Sequence, residues 1–188
     1  ALLVLDVGWP ITAADGEDVA LPEVAGLADG LNPNLLGVVI SHPHADHWGL
    51  LPKVDVSVPV YIGEAASRVL REAAFFSPLG IKLQPSGFLR HRETFDLGPF
   101  RLTSFLNDHS AFDAYALLVE ADGRRLFYTG DIRAHGRKAG IFEELGWTGR
   151  AIPELRRRHG ILATGLIVGL LWGAWHFLVV VWGIGDRA

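Results

Sequence analysis

The residues best suited to chemistry lie in one short stretch, SHPHADHWGL, at positions 41–50. Three imidazoles and one carboxylate fall within six positions, at His42, His44, Asp46 and His47. Two histidines at i and i+2 just past a strand end can reach one ion from an extended backbone, and the Asp-His pair that follows can reach a second ion nearby. Imidazole and carboxylate ligands suit zinc, with manganese or iron as alternatives. The alternative is a polar loop that happens to be rich in histidine, and the density of ligand-type residues directly after an apolar run argues against it.

The composition limits the ligands and partners of such a site. The 188 residues include no cysteine, so thiolate metal sites and disulfides are excluded, and an ion must be held by His, Asp or Glu. No methionine is present, even at position 1, and we expect the natural start of the chain to lie upstream. Residues 1–140 carry 12 Lys and Arg against 17 Asp and Glu, a charge of −5. A small-molecule or phosphodiester substrate is therefore expected, and nucleic acid stays open without support from the charge.

The elements that must position this loop have the pattern of an α/β fold up to about residue 140. Short apolar or β-branched runs are separated by turn signals, at residues 2–7, 35–40, 58–63, 100–106, 115–121 and 124–130. The segment ADGRR predicts a hairpin that joins Tyr115–Glu120 to Arg125–Thr129. Helical spacing of apolar residues predicts a helix between Glu64 and Phe76. This alternation favours a layered sheet with helices packed outside.

The chain changes character after about Phe142. Residues 161–184 form a run of 24 without a formal charge, which predicts a transmembrane helix, with a buried core helix as the alternative. Three arginines, Arg156 to Arg158, precede the run, so the excess of positive charge predicts a cytoplasmic location for the larger domain. The organisation expected is therefore a domain at 1–140, a basic junction at 141–160 and a membrane helix at 161–184.

Small residues mark one face of the predicted membrane helix. Gly165, Gly169 and Gly173 are spaced four apart, and His176 shares the face of Gly169. Such a face is typical of a helix that packs against another helix, with the histidine pointing into the bundle. The alternative is that the glycines reflect the ordinary composition of membrane helices.

Several motifs in order identify a family over residues 1–140. The segment VVISHPHADHWGLLPKV resembles the signature loop of the metallo-β-lactamase fold superfamily, and LLVLDVG resembles the strand and turn that precede it. Further along, FLNDHSAFDAYALLVEADGRRLFYTGD resembles the next two elements of that family, and GDIRAHGRK is similar to its ribonuclease J-like members. The resemblance implies the N-terminal part of an αββα sandwich, in the ribonuclease J and glyoxalase II branches.

What the resemblance implies is a hydrolase with two zinc ions. His42, His44 and His109 would hold the first ion, Asp46 and His47 the second, and Asp131 would bridge them. The ions would activate a bridging hydroxide for attack on a phosphodiester or (thio)ester, with Asp46 orienting it as the catalytic carboxylate. Carboxylates or carbonyls should also fix the imidazole tautomers. Asp6 and Asp113 are candidates, and the interpretation favoured for each is a turn or cap role.

The family pattern ends with a further histidine on the second metal, in the second half of the sandwich. After His135 only His159 and His176 remain, one in a basic stretch and the other inside an apolar run. Neither has the context of a ligand. We therefore expect an incomplete second metal site and a sandwich truncated after its first half.

A second resemblance covers the C-terminal part. The segment FEELGWTGRAIPELRRRHGILATGLIVGLLWGAWHF resembles the first two motifs of the CAAX-protease and bacteriocin-processing intramembrane proteases. Their catalytic glutamates and histidine correspond to Glu143, Glu144 and His176, although the paired glutamates alone are also typical of an exposed helix face. Three hypotheses follow: a hydrolase tethered to a membrane, a fragment of an intramembrane protease, and a chimeric or degenerate metal-binding chain without activity.

Overall fold

The computed structural model describes residues 1–14, 17–77, 80–133 and 152–171. The chain divides into two units, 1–139 and 140–188, and the candidate ligands with defined positions all lie in the first. Within the described residues of that unit, eight strands form two four-stranded sheets.

The first sheet is parallel and supports the histidine-rich loop. Its strands, in spatial order, are β1 (Leu2–Leu5), β2 (Leu35–Val39), β3 (Val60–Gly63) and β4 (Gly87–Leu89). β2 lies between two neighbours and has layers on both faces, which explains its continuous apolar sequence LLGVV. Helix α1 (Ala45–Trp48) and a 3₁₀ helix (Leu51–Lys53) follow β2, and helix α2 (Glu64–Ala73) follows β3.

The second sheet is an antiparallel meander of β5 (Thr94–Leu97), β6 (Phe100–Leu106), β7 (Tyr115–Ala121) and β8 (Arg124–Tyr128). The turn between β7 and β8 has positive φ at both central residues, 49° at Asp122 and 72° at Gly123. An Asp-Gly pair tolerates this conformation, which matches the twist of a tight hairpin. The predicted hairpin is confirmed, with Glu120 opposite Arg125.

Two apolar cores hold the layers together. One lies between α1, α2 and the outer face of the first sheet, and contains Val38, Ile40, Ile62, Trp48 and Leu70. The other lies between the sheets and contains Val39, Leu89, Leu102, Leu117 and Val119. Neighbouring residues Val38 and Val39 enter opposite cores because successive side chains of a strand alternate between its faces. This sheet-on-sheet arrangement confirms the predicted α/β class.

The differences from prediction lie in short or marginal elements. β4 and β5 were not predicted, because runs of three and four residues carry too little periodic signal. The helix predicted to reach Phe76 ends at Ala73, and Phe75 and Phe76 are each 85% exposed beyond it. They extend the apolar spacing in sequence without packing on the core.

The second unit begins with helix α3 (Ile152–Arg158), and residues 161–171 are also helical. Among the described residues, no helix combines the length and apolarity needed to cross a membrane. Residues 172–184 of the predicted span lie outside them, as do Gly173 and His176. A Cβ at Gly165 or Gly169 would meet nothing within 4 Å in the described part of the chain. The predicted helix partner therefore has no support here, and the membrane span, its orientation and the domain limits stay predictions.

Candidate metal centre

The histidine-rich loop begins at the carboxyl end of β2. In parallel sheets, the crevice at the carboxyl ends of inner strands is where ligands bind. Ile40 and Ser41 continue β2 as buried residues, His42 and His44 follow, and α1 then carries Asp46 and His47. The loop therefore places four ligand-type side chains at one edge of the first sheet.

The segment after β1 holds this loop in place through its backbone. The Val7 amide donates to the His47 carbonyl at 2.8 Å, and the Trp9 amide donates to the Ala45 carbonyl at 3.0 Å. Between them, a Cβ on Gly8 would stand 1.7 Å from the Asp46 carbonyl oxygen, so only glycine fits. The sequence LLVLDVG thus forms both a strand and the support of the loop.

The first ligand group consists of His42, His44 and His109, with His109 supplied by the loop after β6. One ring nitrogen of each lies within 4.8 Å of the others. The closest pair is His109 Nε2 and His44 Nδ1, which are 3.0 Å apart. Three imidazoles that converge in this way match the histidine set of a zinc site.

The second ligand group consists of His42, His47 and Asp131, again with one ligand atom of each within 4.8 Å of the others. Asp131 Oδ1 lies 3.3 Å from His47 Nε2, while Asp131 Oδ2 lies 3.7 Å from His109 Nε2. The two carboxylate oxygens therefore face different groups. His42 belongs to both.

The remaining predicted site residues are placed less closely. Asp46 Oδ2 lies 3.7 Å from His47 Nε2, at the border of the second group and outside its 4.8 Å set. The predicted protease-like residues Glu143, Glu144 and His176 lie outside the described residues. Their roles stay predictions.

Asp6 lies behind the second group and orients it. The backbone there has a φ of 59°, and Asp6 Oδ1 accepts the Ser41 amide at 2.7 Å. Asp6 Oδ2 lies 2.7 Å from His47 Nδ1 and also accepts the hydroxyls of Ser41 and Tyr128, at 2.7 and 2.6 Å. Because Nδ1 is engaged, His47 Nε2 is left to face Asp131, the arrangement expected of a metal-binding imidazole.

Asp113, the other carboxylate considered for this role, does different work. Its Oδ2 accepts the Ala66 amide at 3.0 Å, and its Oδ1 accepts the Tyr115 hydroxyl at 2.8 Å. It therefore satisfies an amide in the first turn of α2, where no residue of the helix can accept it. The cap role applies to Asp113, and an orienting role applies to Asp6.

The surroundings of the imidazoles shift their pKa values in different directions. Burial, followed by the neighbouring His47, His109 and His44, lowers the pKa of His42 to about 3. Burial and His44 also lower the pKa of His109. Burial acts to lower the pKa of His47 as well, but the hydrogen bond and charge of Asp6, with Asp131 and Asp46, outweigh it and raise that pKa. His42 and His109 are therefore neutral near pH 7 and offer a lone pair.

One buried atom tests whether a metal fits. Among the described residues, His42 Nε2 is buried without a hydrogen-bond partner. A buried polar atom left unpaired costs free energy, and such atoms are rare in folded proteins. His42 belongs to both ligand groups, so a cation bound between their ring nitrogens and the Asp131 carboxylate would satisfy His42 Nε2. The donor set of imidazoles and a carboxylate fits zinc.

Three residues that support the candidate ligands were not predicted from the sequence: Ser41, Asn107 and Tyr128. Ser41 and Tyr128 bind Asp6, and the Asn107 amide donates to the carbonyls of Thr129 and Asp131. Each lies within three residues of a predicted ligand in the sequence, which is the only local signal. Their partners are distant along the chain, so nothing in a single segment marks them.

Two family descriptions match the chain, and they overlap at residues 137–154. Residues 16–154 match the family described as "Beta-lactamase superfamily domain". Residues 137–185 match "Type II CAAX prenyl endopeptidase Rce1-like". The second match is short, and it agrees with the second resemblance seen in the sequence.

Among curated proteins, the chain is 27% identical to ribonuclease J of Sinorhizobium meliloti over 133 residues, covering 69% of this chain and 23% of that protein. It is also 27% identical to ribonuclease J of Mycobacterium tuberculosis over 140 residues, covering 70% and 24%. CAAX prenyl protease 2 of Methanococcus maripaludis is 38% identical over 42 residues, covering 22% and 16%. The chain thus spans about a quarter of the length of these ribonucleases J.

Among solved structures, the first unit resembles a protein of unknown function from Enterococcus faecalis, with a TM-score of 0.50 and 25% identity over 58% of this chain and 28% of that one. A metallo-β-lactamase from Cronobacter sakazakii has a TM-score of 0.45 and 18% identity over 57% and 48%. Since the family match extends over residues 16–154, well beyond half of the chain, the protein belongs to the beta-lactamase superfamily.

Proposed function

We propose that this chain carries the metal centre of a hydrolase that holds two zinc ions and cleaves a phosphodiester. The observation that carries the proposal is the pair of ligand groups that share His42, with the Asp131 carboxylate directed at both. Two adjacent ligand sets joined by one carboxylate are the arrangement used for two-metal hydrolysis.

In this proposal His42, His44 and His109 hold one ion, and His47 with Asp46 holds the other. The Asp131 carboxylate, whose two oxygens face the two groups, would contribute to both. When bound, the ions supply Lewis acidity toward the substrate and lower the pKa of a water molecule toward neutrality. The protein keeps the ligands in their metal-binding form: burial leaves His42 neutral, and Asp6 accepts from His47 Nδ1 so that Nε2 faces the site.

Asp46 is proposed as the carboxylate that orients the attacking water. Its side chain is 31% exposed and lies 3.7 Å from His47 Nε2, so it borders both the second group and solvent. From this position a carboxylate oxygen can accept a hydrogen bond from water and take its proton. This role adds to its place among the proposed ligands of the second ion, at whose border it lies.

The choice of a phosphodiester rests on the ribonucleases J among the relatives. A (thio)ester is the competing substrate class, since the same chemistry serves both. The charge of −5 over residues 1–140 supplies no basic surface of its own for a long nucleic acid. The proposal is therefore limited to the bond that is cleaved.

The test uses the full chain and a His42→Ala, His44→Ala double variant. We expect about two zinc ions per chain by elemental analysis, as two-metal sites hold, and hydrolysis of bis(p-nitrophenyl) phosphate in preference to an acyl thioester. The double variant should lose both metal and activity while keeping its far-UV circular dichroism. A folded wild-type chain without bound metal would rule the proposal out, and preference for the thioester would change the substrate class.

A second candidate function belongs to the C-terminal part, where residues 137–185 match a prenyl endopeptidase family. Here Glu143, Glu144 and His176 would activate water for peptide cleavage, in a segment that enters a membrane at 161–184. Cleavage of a prenylated peptide that survives the double histidine substitution and is lost in Glu143→Ala would favour this function. Loss in the double histidine variant with retention in Glu143→Ala would assign the activity to the metal centre.

A further inference from the structure

Asn107 connects the two segments that supply ligands from the second sheet. Its side chain is buried, with 4% of the residue exposed, in the loop between β6 and His109. The amide nitrogen donates to the Thr129 carbonyl at 2.8 Å and to the Asp131 carbonyl at 2.7 Å. Both hydrogens of the amide are therefore used on the backbone that carries Asp131.

The Asp131 carboxylate faces His47 and His109, at 3.3 and 3.7 Å, from a partly exposed position. Its side chain is 45% exposed, so packing restrains it weakly, and its position follows from its backbone. That backbone includes Gly130, which has a φ of 54° and a virtual Cβ only 3.1 Å from Ser41 Oγ. The backbone turns at Gly130, next to the histidine loop. The Asn107 side-chain amide stabilises this turn by donating hydrogen bonds to the carbonyls on either side of the glycine, at Thr129 and Asp131.

A second contact ties the same two segments together. The Arg133 amide donates to the Asp108 carbonyl at 2.7 Å, one residue from Asn107 and one from His109. The backbone N–H of Asn107 donates to the Ala114 carbonyl at 2.7 Å, which closes the loop that contains His109. His109 and Asp131 thus belong to one hydrogen-bonded unit with Asn107 at its centre.

We propose that Asn107 is a positioning residue that holds the backbone of Asp131 and so determines the affinity for the second metal ion, which has one histidine ligand in the proposed assignment where the first ion has three. The inference rests on the proposed function, because it concerns the same ions. Asparagine suits the task because a primary amide directs two donors at two carbonyls. Aspartate at this position would direct lone pairs at the same carbonyls, and alanine would reach neither.

The experiment titrates the metal-free full chain with Co²⁺ and follows the d–d absorption of the bound ion. The wild-type chain should bind two equivalents. In Asn107→Asp and Asn107→Ala, the first equivalent should bind within a few-fold of wild type, and the second should bind about 10 to 100 times more weakly, the range found for residues that orient ligands.

Ser104→Ala is the matched control. Ser104 is also buried, on β6 just before Asn107, and its hydroxyl donates to the Arg90 carbonyl at 2.6 Å, but it holds no segment that carries a candidate ligand. This variant should bind both equivalents as wild type does. Thermal unfolding without metal is measured for all three variants, and Asn107→Ala is included because it adds no buried charge.

The outcomes separate the two ideas. Binding of two equivalents by wild type and by folded Asn107 variants with equal affinity would overturn the inference alone. An equal loss in Ser104→Ala, or unfolding of both Asn107 variants without metal, would also overturn it by assigning Asn107 to general stability. Absence of Co²⁺ binding by the folded wild-type chain would overturn the proposed function as well.

Discussion

The first and second sheets contribute to the candidate metal centre in different ways. From the first sheet, His42 and His47 are deeply enclosed, with 1% of His42 and 11% of the His47 side chain exposed. From the second sheet, the His109 side chain is 14% exposed and that of Asp131 is 45% exposed. The first sheet supplies a prearranged imidazole cluster, and the second closes it with a carboxylate that solvent reaches.

This difference follows from how each ligand is held. The three histidines of the first sheet fall within six consecutive positions, and the segment after β1 fixes their loop through backbone hydrogen bonds and through Asp6. His109 and Asp131 come from separate loops, joined to each other through Asn107. Ligands on one short loop need one support, whereas ligands from two loops need a residue that couples them.

The largest effect is expected from removing His42 or His44, the histidines of the first sheet that belong to the first ligand group. In the proposed assignment His42 is a ligand of the first ion, so His42→Ala should weaken that ion by at least about 100-fold, above the cost of losing an orienting residue. Its ring also packs against that of His47, with 3.9 Å between the ring centroids, so the second ion should be weakened by a smaller factor. His44 belongs to the first group alone, so His44→Ala should spare the second ion. Zinc content after gel filtration measures the result.

His159→Ala, which changes an exposed histidine of the second unit, serves as the control and should keep both ions. One tightly held ion in His42→Ala would show that the two groups do not share this ligand.

The pH dependence of the metal-free chain separates His42 from His47. Because the pKa of His42 falls from 6.5 to about 3, the folded chain binds fewer protons than the unfolded chain between these values. Stability should therefore fall as pH decreases through this window, by at most about 1.4 kcal/mol per pH unit for one proton. The raised pKa of His47 acts oppositely: its contribution is complete below pH 6.5 and is lost as pH rises through the raised value.

Urea unfolding with a chelator from pH 4 to pH 9 measures both effects. In His42→Ala, the free energy of unfolding should depend less on pH below 6.5 and should keep its dependence above it. In Asp6→Asn, the dependence above pH 6.5 should weaken, because the partner that raises the pKa of His47 is gone. A steep acid side that persists in His42→Ala would assign it to other groups.

The smallest effect is expected at the link from the second sheet to Asp6. Tyr128→Phe removes one hydroxyl that donates to Asp6 Oδ2, and should cost about 1 kcal/mol in the free energy of unfolding. Tyr115→Phe removes a comparable bond to Asp113, away from the imidazoles, and should cost about the same. Only Tyr128→Phe should weaken zinc binding, and equal zinc affinity in both variants would show that Asp6 needs no support from β8.

Much of the fold was predictable because its signals are local. The apolar runs of β2, β3, β6, β7 and β8 and the Asp-Gly turn lie within single segments, so each could be recognised without its neighbours. β4 and β5 could not be recognised, because a strand of three or four residues is defined by its pairing. The end of α2 was also missed, since Phe75 and Phe76 continue its spacing after the helix has stopped.

In the candidate site, too, the features carried by one segment were predictable and those that depend on tertiary contacts were not. The ligand types at His42, His44, Asp46 and His47 follow from one motif, and the resemblance pointed to His109 and Asp131. The different work of Asp6 and Asp113 could not be inferred, because each is an aspartate with positive φ beside an apolar run. What distinguishes them is the partner that the fold brings, an imidazole for Asp6 and a helix amide for Asp113.

The amino-acid sequence by itself determined the chemical types of the ligands, the absence of thiolates and the α/β class, since these depend on composition and on short periodic patterns. Only the tertiary structure decided that His42 serves both ligand groups, that Asp131 faces each of them, and that Asp6 and Asn107 hold these side chains in place. The physical reason is that a ligand set requires atoms within a few ångströms of each other, and the packing of two sheets brings together residues that lie far apart in the chain.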